Sequence, residues 1–199
     1  MRSPAKIVSL SAAATALVMF SATLSVSASC AVILVRRADA VAKSLPAAAN
    51  FFVRKVAIGE ADIAKVEARG NFRPDVSNLK FFYGRDKSGR FVGTMLFYAV
   101  DSEYGALQVG VAFSPAGSVT NVVVTKATCG SKPWIESLMS SGWLKVYDGM
   151  SGNSMFNPIT RISPGTAGTR PYMMAEAITT AVVRCIVYYD MLFQPNLPR

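Results

Sequence analysis

ALQVGVAFSPAGSVTNVVVTK, residues 106–126, decides the fold. Leu107, Val109, Val111 and Phe113 recur at every second position, with the small Ala106, Gly110 and Ala112 between them. That period of two predicts a strand with one bulky face and one flat face. Ser114, Pro115, Ala116 and Gly117 supply the residues of a tight turn, and residues 118–126 return as the partner strand. A second hairpin precedes it: LKFFYGR, a turn over Asp86, Lys87, Ser88 and Gly89, then RFVGTMLFYAV. In the last of these Phe91, Met95, Phe97 and Ala99 alternate with Val92, Thr94, Leu96 and Tyr98. With both faces apolar, that strand is expected at the centre of a sheet covered on both sides. A turn over residues 101–105 joins the two hairpins.

Helical spacing frames these strands. Residues 60–68 predict a short helix with Ile63 and Val66 inward, stopped by Gly70 and Pro74. Residues 133–142 predict another, with Pro133 in its first turn and Trp134, Leu138 and Met139 on its apolar side. Residues 143–162 read as a loop with a last strand near Ile159 to Ile162. Residues 173–193 close the chain as a helix, with Ile178, Ala181, Val182, Cys185, Ile186, Tyr189 and Phe193 on one face. Residues 36–58 read as a connector, helical in two pieces around Pro46, whose Phe51, Phe52 and Val56 rest on a membrane surface or on the domain. The expected class is α+β, an antiparallel sheet packed by helices. The divisions are a membrane segment over 1–35, a helical connector over 36–70 and the α+β domain over 71–199.

Upstream, IVSLSAAATALVMFSATLSVSASCAVILV runs from Ile7 to Val35 without a charge, between Arg2 and Lys6 on one side and Arg36 and Arg37 on the other. As a helix at about 1.5 Å per residue it exceeds a bilayer core of about 30 Å. A cleaved signal usually has an apolar region of only about 7 to 15 residues. Ser27-Ala28-Ser29-Cys30 resembles a poor lipoprotein cleavage site, yet the apolar run continues past it. The expectation is a retained membrane helix. Ala12, Ala16, Ser21, Ser25 and Ala28 are small enough to let a second helix approach closely, which points to packing inside a complex; the alternative is a single weak anchor.

Composition excludes several chemistries. There is no histidine, which removes His-based acid–base catalysis and most zinc sites. The net charge of +9 suits anionic headgroups, an acidic protein or a phosphate-bearing ligand. No basic stripe with interleaved aromatics points to nucleic acid. Cys30 reads as a small packing residue of the span, while Cys129 and Cys185 can pair if their compartment is oxidising; spacing alone does not decide it. Glu176 and Asp190 stand too far apart on one helix to work as an acid–base pair. No catalytic residue and no metal site is assigned.

The N-terminal span, the hairpin of residues 106–126, a glycine-containing loop with a Trp helix behind it and a last helix entered through an Ala/Thr-rich segment occur here in one order. In this the chain resembles the flavin-binding-domain family of respiratory membranes, which includes the C subunit of the sodium-pumping NADH:quinone oxidoreductase and the G subunit of the Rnf complex. The resemblance implies a periplasmic domain on a bacterial inner membrane. It also implies FMN esterified to a threonine in a Ser-Gly-Ala-Thr motif at the start of the last helix. Here the matching stretch is Met173-Met174-Ala175-Glu176-Ala177-Ile178-Thr179-Thr180, with Met174 for the glycine and Glu176 for the acceptor. The family's Glu-Thr-Pro-Gly loop becomes Ala127-Thr128-Cys129-Gly130. A carboxylate accepts no phosphoryl group in that manner, and it repels the phosphate that a helix start attracts.

If flavin is held at all, Thr179, Thr180 and Thr128 are the candidate contacts. Trp134, Trp143, Tyr147, Tyr188 and Tyr189 are candidates to stack on its ring, or core residues. The Gly/Thr loop of residues 163–169, flanked by Arg161 and Arg170, is a weak candidate phosphate cradle or simply a turn. The expected function is therefore a single-pass accessory subunit of a respiratory or photosynthetic electron-transfer complex, without a cofactor. It would hold other transmembrane subunits through residues 7–35, and an acidic periplasmic subunit or cytochrome through its domain. The alternative is a redox subunit binding FMN non-covalently or through a shifted threonine.

Overall fold

The computed structural model describes residues 30–153 and 168–197. Among these residues six strands form one antiparallel sheet: β1 (Ala31–Ile33), β2 (Asn50–Ala57), β3 (Asn78–Arg85), β4 (Phe91–Val100), β5 (Leu107–Phe113) and β6 (Val119–Thr128), in the order β1-β6-β5-β4-β3-β2. Both predicted hairpins are present: Phe82 opposes Met95, and Val111 opposes Val122. Asp86 organises the first turn. Its Oδ1 accepts from the Ser88 N–H at 2.8 Å and the Ser88 hydroxyl at 2.6 Å, and its Oδ2 accepts from Arg90 Nε at 2.9 Å.

Among the described residues four α-helices flank the sheet: α1 (Arg37–Ser44), α2 (Glu60–Gly70), α3 (Lys132–Ser140) and α4 (Arg170–Tyr188). The last continues through a wider π-helical turn over Tyr189–Phe193. The bulky residues of β3 to β6, among them Phe81, Leu96, Val109, Val111, Phe113, Val122 and Val124, meet Ile178, Ala181, Val182, Cys185 and Ile186 of α4 in the main core. All seven residues predicted to face inward on the last helix are fully buried. On the opposite face α1 sets Ala40, Val41 and Leu45 over Met95 and Ala112, a much smaller cluster. β4 thus carries apolar packing on both sides, as its sequence requires.

Several expectations are corrected. The apolar run does not stay helical to Val35: Ala31, Val32 and Ile33 pair with Thr128, Ala127 and Lys126 as an edge strand. The remainder of the span, residues 7–29, lies outside the described residues, among which no helix is long and apolar enough to cross a membrane. Cys30 is not a packing residue; it is joined to Cys129, and its sulfur is thereby closed to lipid attachment. Cys185 is free and buried within α4, which answers the question left open by spacing: it does not pair with Cys129. The second half of the connector is strand β2, because its backbone pairs with β3 along its whole length. In α3 the buried residue is Ile135, with Trp134, Leu138 and Met139 half-buried around it. Residues 143–147 form a 3-10 turn instead of loop, and the strand expected near Ile159 to Ile162 lies outside the described residues.

Candidate functional site: the cleft beside the last helix

Helix α4 begins at Arg170, with Pro171 in its first turn and Thr169 extended ahead of it. The sequence reading started the helix at Met173, so the motif positions fall one turn later than expected. An N–H group can cradle a phosphate only where it lacks an intrahelical partner, which is true of the first turn alone. The amides of Met174 and Glu176 lie past that turn, within the helical ladder. Met174 is buried in the core, and Glu176 is exposed.

The three candidate threonines part company. Thr179 is 7% exposed and points away from solvent. Its hydroxyl donates to the Ala175 carbonyl at 2.8 Å, so the Tyr147 hydroxyl, also at 2.8 Å, must donate to it. Burial pushes the Tyr147 phenol well above its ordinary range, which keeps that proton in place. Thr180, about 100° further round the helix, lies on the wall of an open cleft. Thr128 lies apart from both, pinning the turn after β4: its hydroxyl donates to the Tyr104 carbonyl at 2.8 Å, as does that of Ser131. Gly105 sits against Thr128 with φ +107°, and a Cβ there would come within 2.3 Å of the threonine methyl.

The cleft has a volume of about 530 Å³. Glu176, Thr180 and Arg184 form one wall at four-residue spacing along α4; Asp75, Asp101 and Glu103 come from loops at the same end of the sheet. Arg184 donates to Asp75 at 3.0 Å and to the Tyr98 hydroxyl at 2.6 Å, and Tyr98 donates in turn to Asp75. The guanidinium also lies over the Phe72 and Tyr98 rings, 5.0 and 5.6 Å from their centroids. Burial, reinforced by the hydrogen bond to Asp75, pushes the Tyr98 phenol up to about 12. Burial opposes the Arg184 charge, but the bond to Tyr98 and the Asp75 carboxylate outweigh it and hold the guanidinium protonated.

Among the described residues four carboxylates therefore face this space, and the one guanidinium there is already committed. Such a lining repels a phosphate, and Glu176 offers an ester no hydroxyl, so these residues do not fit an esterified flavin nucleotide. Sequence reasoning missed Asp75, Asp101, Glu103 and Arg184. The i, i+4, i+8 stripe of Glu176, Thr180 and Arg184 was legible in α4; the loop carboxylates join it only through the sheet order.

The remaining candidates resolve into structure. Tyr189 stacks on Phe113 at 4.6 Å, Tyr188 packs edge-on against Phe72 and beside Tyr98, and Trp143 meets Tyr147 edge-on. These rings serve the core and are not offered to a ligand. Arg170 lies 5.1 Å over the Tyr104 ring, while Arg161 and most of the Gly/Thr loop lie outside the described residues. Asp190 sits beyond the far end of α4, its carboxyl raised by burial against the opposing pull of Arg69, remote from Glu176. Among the described residues no group of three or more His, Cys, Asp or Glu is placed to hold a metal ion. No protein-family model matches the chain, and a search of curated proteins finds none similar to it.

Proposed function

We propose that the chain is a non-catalytic docking subunit of a membrane electron-transfer complex, respiratory or photosynthetic, built on a flavin-domain scaffold that carries no flavin. The observation that carries this reading is the acid-lined cleft at Glu176, where the resembled family esterifies FMN. The Cys30–Cys129 disulfide supports a domain on the oxidising, periplasmic side of a bacterial inner membrane, because such bonds persist outside the reducing cytosol. The uncharged residues up to Ser29 supply the anchor in this reading, and the resemblance alone supplies the choice of an electron-transfer host.

The test is isolation of the native membrane assembly through this chain. The expected result is co-purification with membrane redox subunits and no flavin fluorescence from the denatured chain. A yellow chain releasing FMN would replace the reading with that of a flavin-carrying redox subunit. A chain recovered alone, in gentle detergent and at native abundance, would remove the docking role.

A further inference from the structure

None of the six strands contains an aspartate or glutamate, while between them they carry Arg54, Lys55, Lys80, Arg85 and Lys126. The acids of this protein sit on helices and loops. Lys55 and Lys80 stand directly opposite each other across β2 and β3, on the face that α1 leaves uncovered. Like charges in that relation destabilise a strand pair. Neither lysine has a salt bridge among the described residues.

Beside this pair runs the edge of the sheet. β2 pairs with β3 only, and its other side meets no strand among the described residues. It exposes three consecutive large apolar residues: Phe51 at 47%, Phe52 at 43% and Val53 at 52%. Successive strand residues point to opposite faces, so Phe51 and Val53 lie on one side of the sheet and Phe52 on the other. A flat surface pressed on one face would cover Phe51 and Val53 and leave Phe52 wet. A strand added along the edge covers all three, and offers partners to the backbone groups that no described strand pairs.

The occupant follows from charge and position. A second copy would bring another Lys55–Lys80 pair and a second net charge of +9 to the same seam. Residues 1–29 and 154–167, outside the described residues, carry Arg2, Lys6 and Arg161 and no acid, so neither segment brings a carboxylate to that pair. We infer that the open edge of β2 is a strand-docking surface for an extended segment of an acidic protein partner, whose carboxylates neutralise Lys55 and Lys80. The docking rests on the reading proposed above only for its host; the geometry that selects an acidic strand is independent of flavin.

The experiment uses the full chain in neutral phosphatidylcholine nanodiscs, with backbone hydrogen exchange read at residues 50–57. The probes are a decapeptide alternating valine with glutamate and its lysine counterpart. At about ten times its dissociation constant the glutamate peptide is expected to slow exchange there roughly tenfold, by mass action, and the lysine peptide not at all. Lys55→Glu/Lys80→Glu reverses the preference, and the neutral Lys55→Gln/Lys80→Gln abolishes it without needing two carboxylates opposed. The inference is overturned by equal protection from both peptides or by protection from neither. It is equally overturned by protection from phosphatidylglycerol vesicles alone, or by self-association that protects the same amides without peptide. None of these outcomes bears on whether the chain carries FMN, so the two readings fail separately.

Discussion

The two faces of the sheet are unequal. Under α4 lie Phe81, Leu96, Val109, Val111 and Phe113 with most of the buried apolar surface of the protein. Under α1 the fully buried sheet residues are Met95 and Ala112, closed by Ala40, Val41 and Leu45, with Phe82, Phe97 and Val123 half-buried beside them. The difference teaches that one long helix stabilises this fold and one short helix merely shields part of the reverse side. The surface left over is where cations and aromatic rings meet solvent.

Substitution can break that contrast. Phe113→Ala removes a fully buried ring stacked on Tyr189 and is expected to cost about 3–5 kcal/mol in urea unfolding, with Leu45→Ala nearer about 2 kcal/mol. Equal losses would mean that α1 carries as much of the fold as α4. The two edges offer the next comparison, since β1 is stapled and β2 is open. Replacing Cys30 and Cys129 by serine releases a link between residues 99 apart, and is expected to cost about 2–5 kcal/mol. Reduction of the wild type should give the same shift, and an unchanged midpoint would make the bridge idle.

Smaller effects sharpen the contrast between the two threonines of α4. Thr179→Val strands the buried Tyr147 hydroxyl and is expected to cost about 1–3 kcal/mol, most of it recovered when Tyr147→Phe is added. Thr180→Val, on the cleft wall, should change stability by less than about 0.5 kcal/mol. If the two losses matched, the inward and outward assignments would be wrong. The smallest effect is on pH. The Ser88 hydroxyl, then the Arg90 and Ser88 bonds, hold the Asp86 carboxyl well below its usual value. A depressed folded-state value adds stability above the unfolded value of about 3.9, and this is lost as pH falls towards the folded one. Unfolding midpoints taken at about pH 5 and about pH 2 should therefore fall less in Asp86→Asn than in the wild type.

The two hairpins and the inward face of α4 were legible because each has a buried side that imposes a period, two for strands and 3.6 for the helix. β2 was not, for the reason that makes it interesting: its first four residues are all exposed and show no alternation, and Phe51, Phe52 and Val56 fit a helix as readily. Cys30 was hidden because no charge, glycine or proline interrupts the run ahead of the strand. The start of α4 was legible in Thr169-Arg170-Pro171, a capping residue followed by proline in the first turn, but was read three residues late. The cleft was half visible. Its helical stripe follows from spacing, whereas Asp75, Asp101 and Glu103 stand beside it only once the strand order is known.

The sulfur bridge has a mechanical corollary. Tension applied between the two ends of this polypeptide would pass from Cys30 straight to Cys129, leaving the intervening 31–128 slack. All six strands would thus feel no load while the bond held. Reduction would transfer the pull to the three residue pairs of β1, which would unzip first and hand it to α1.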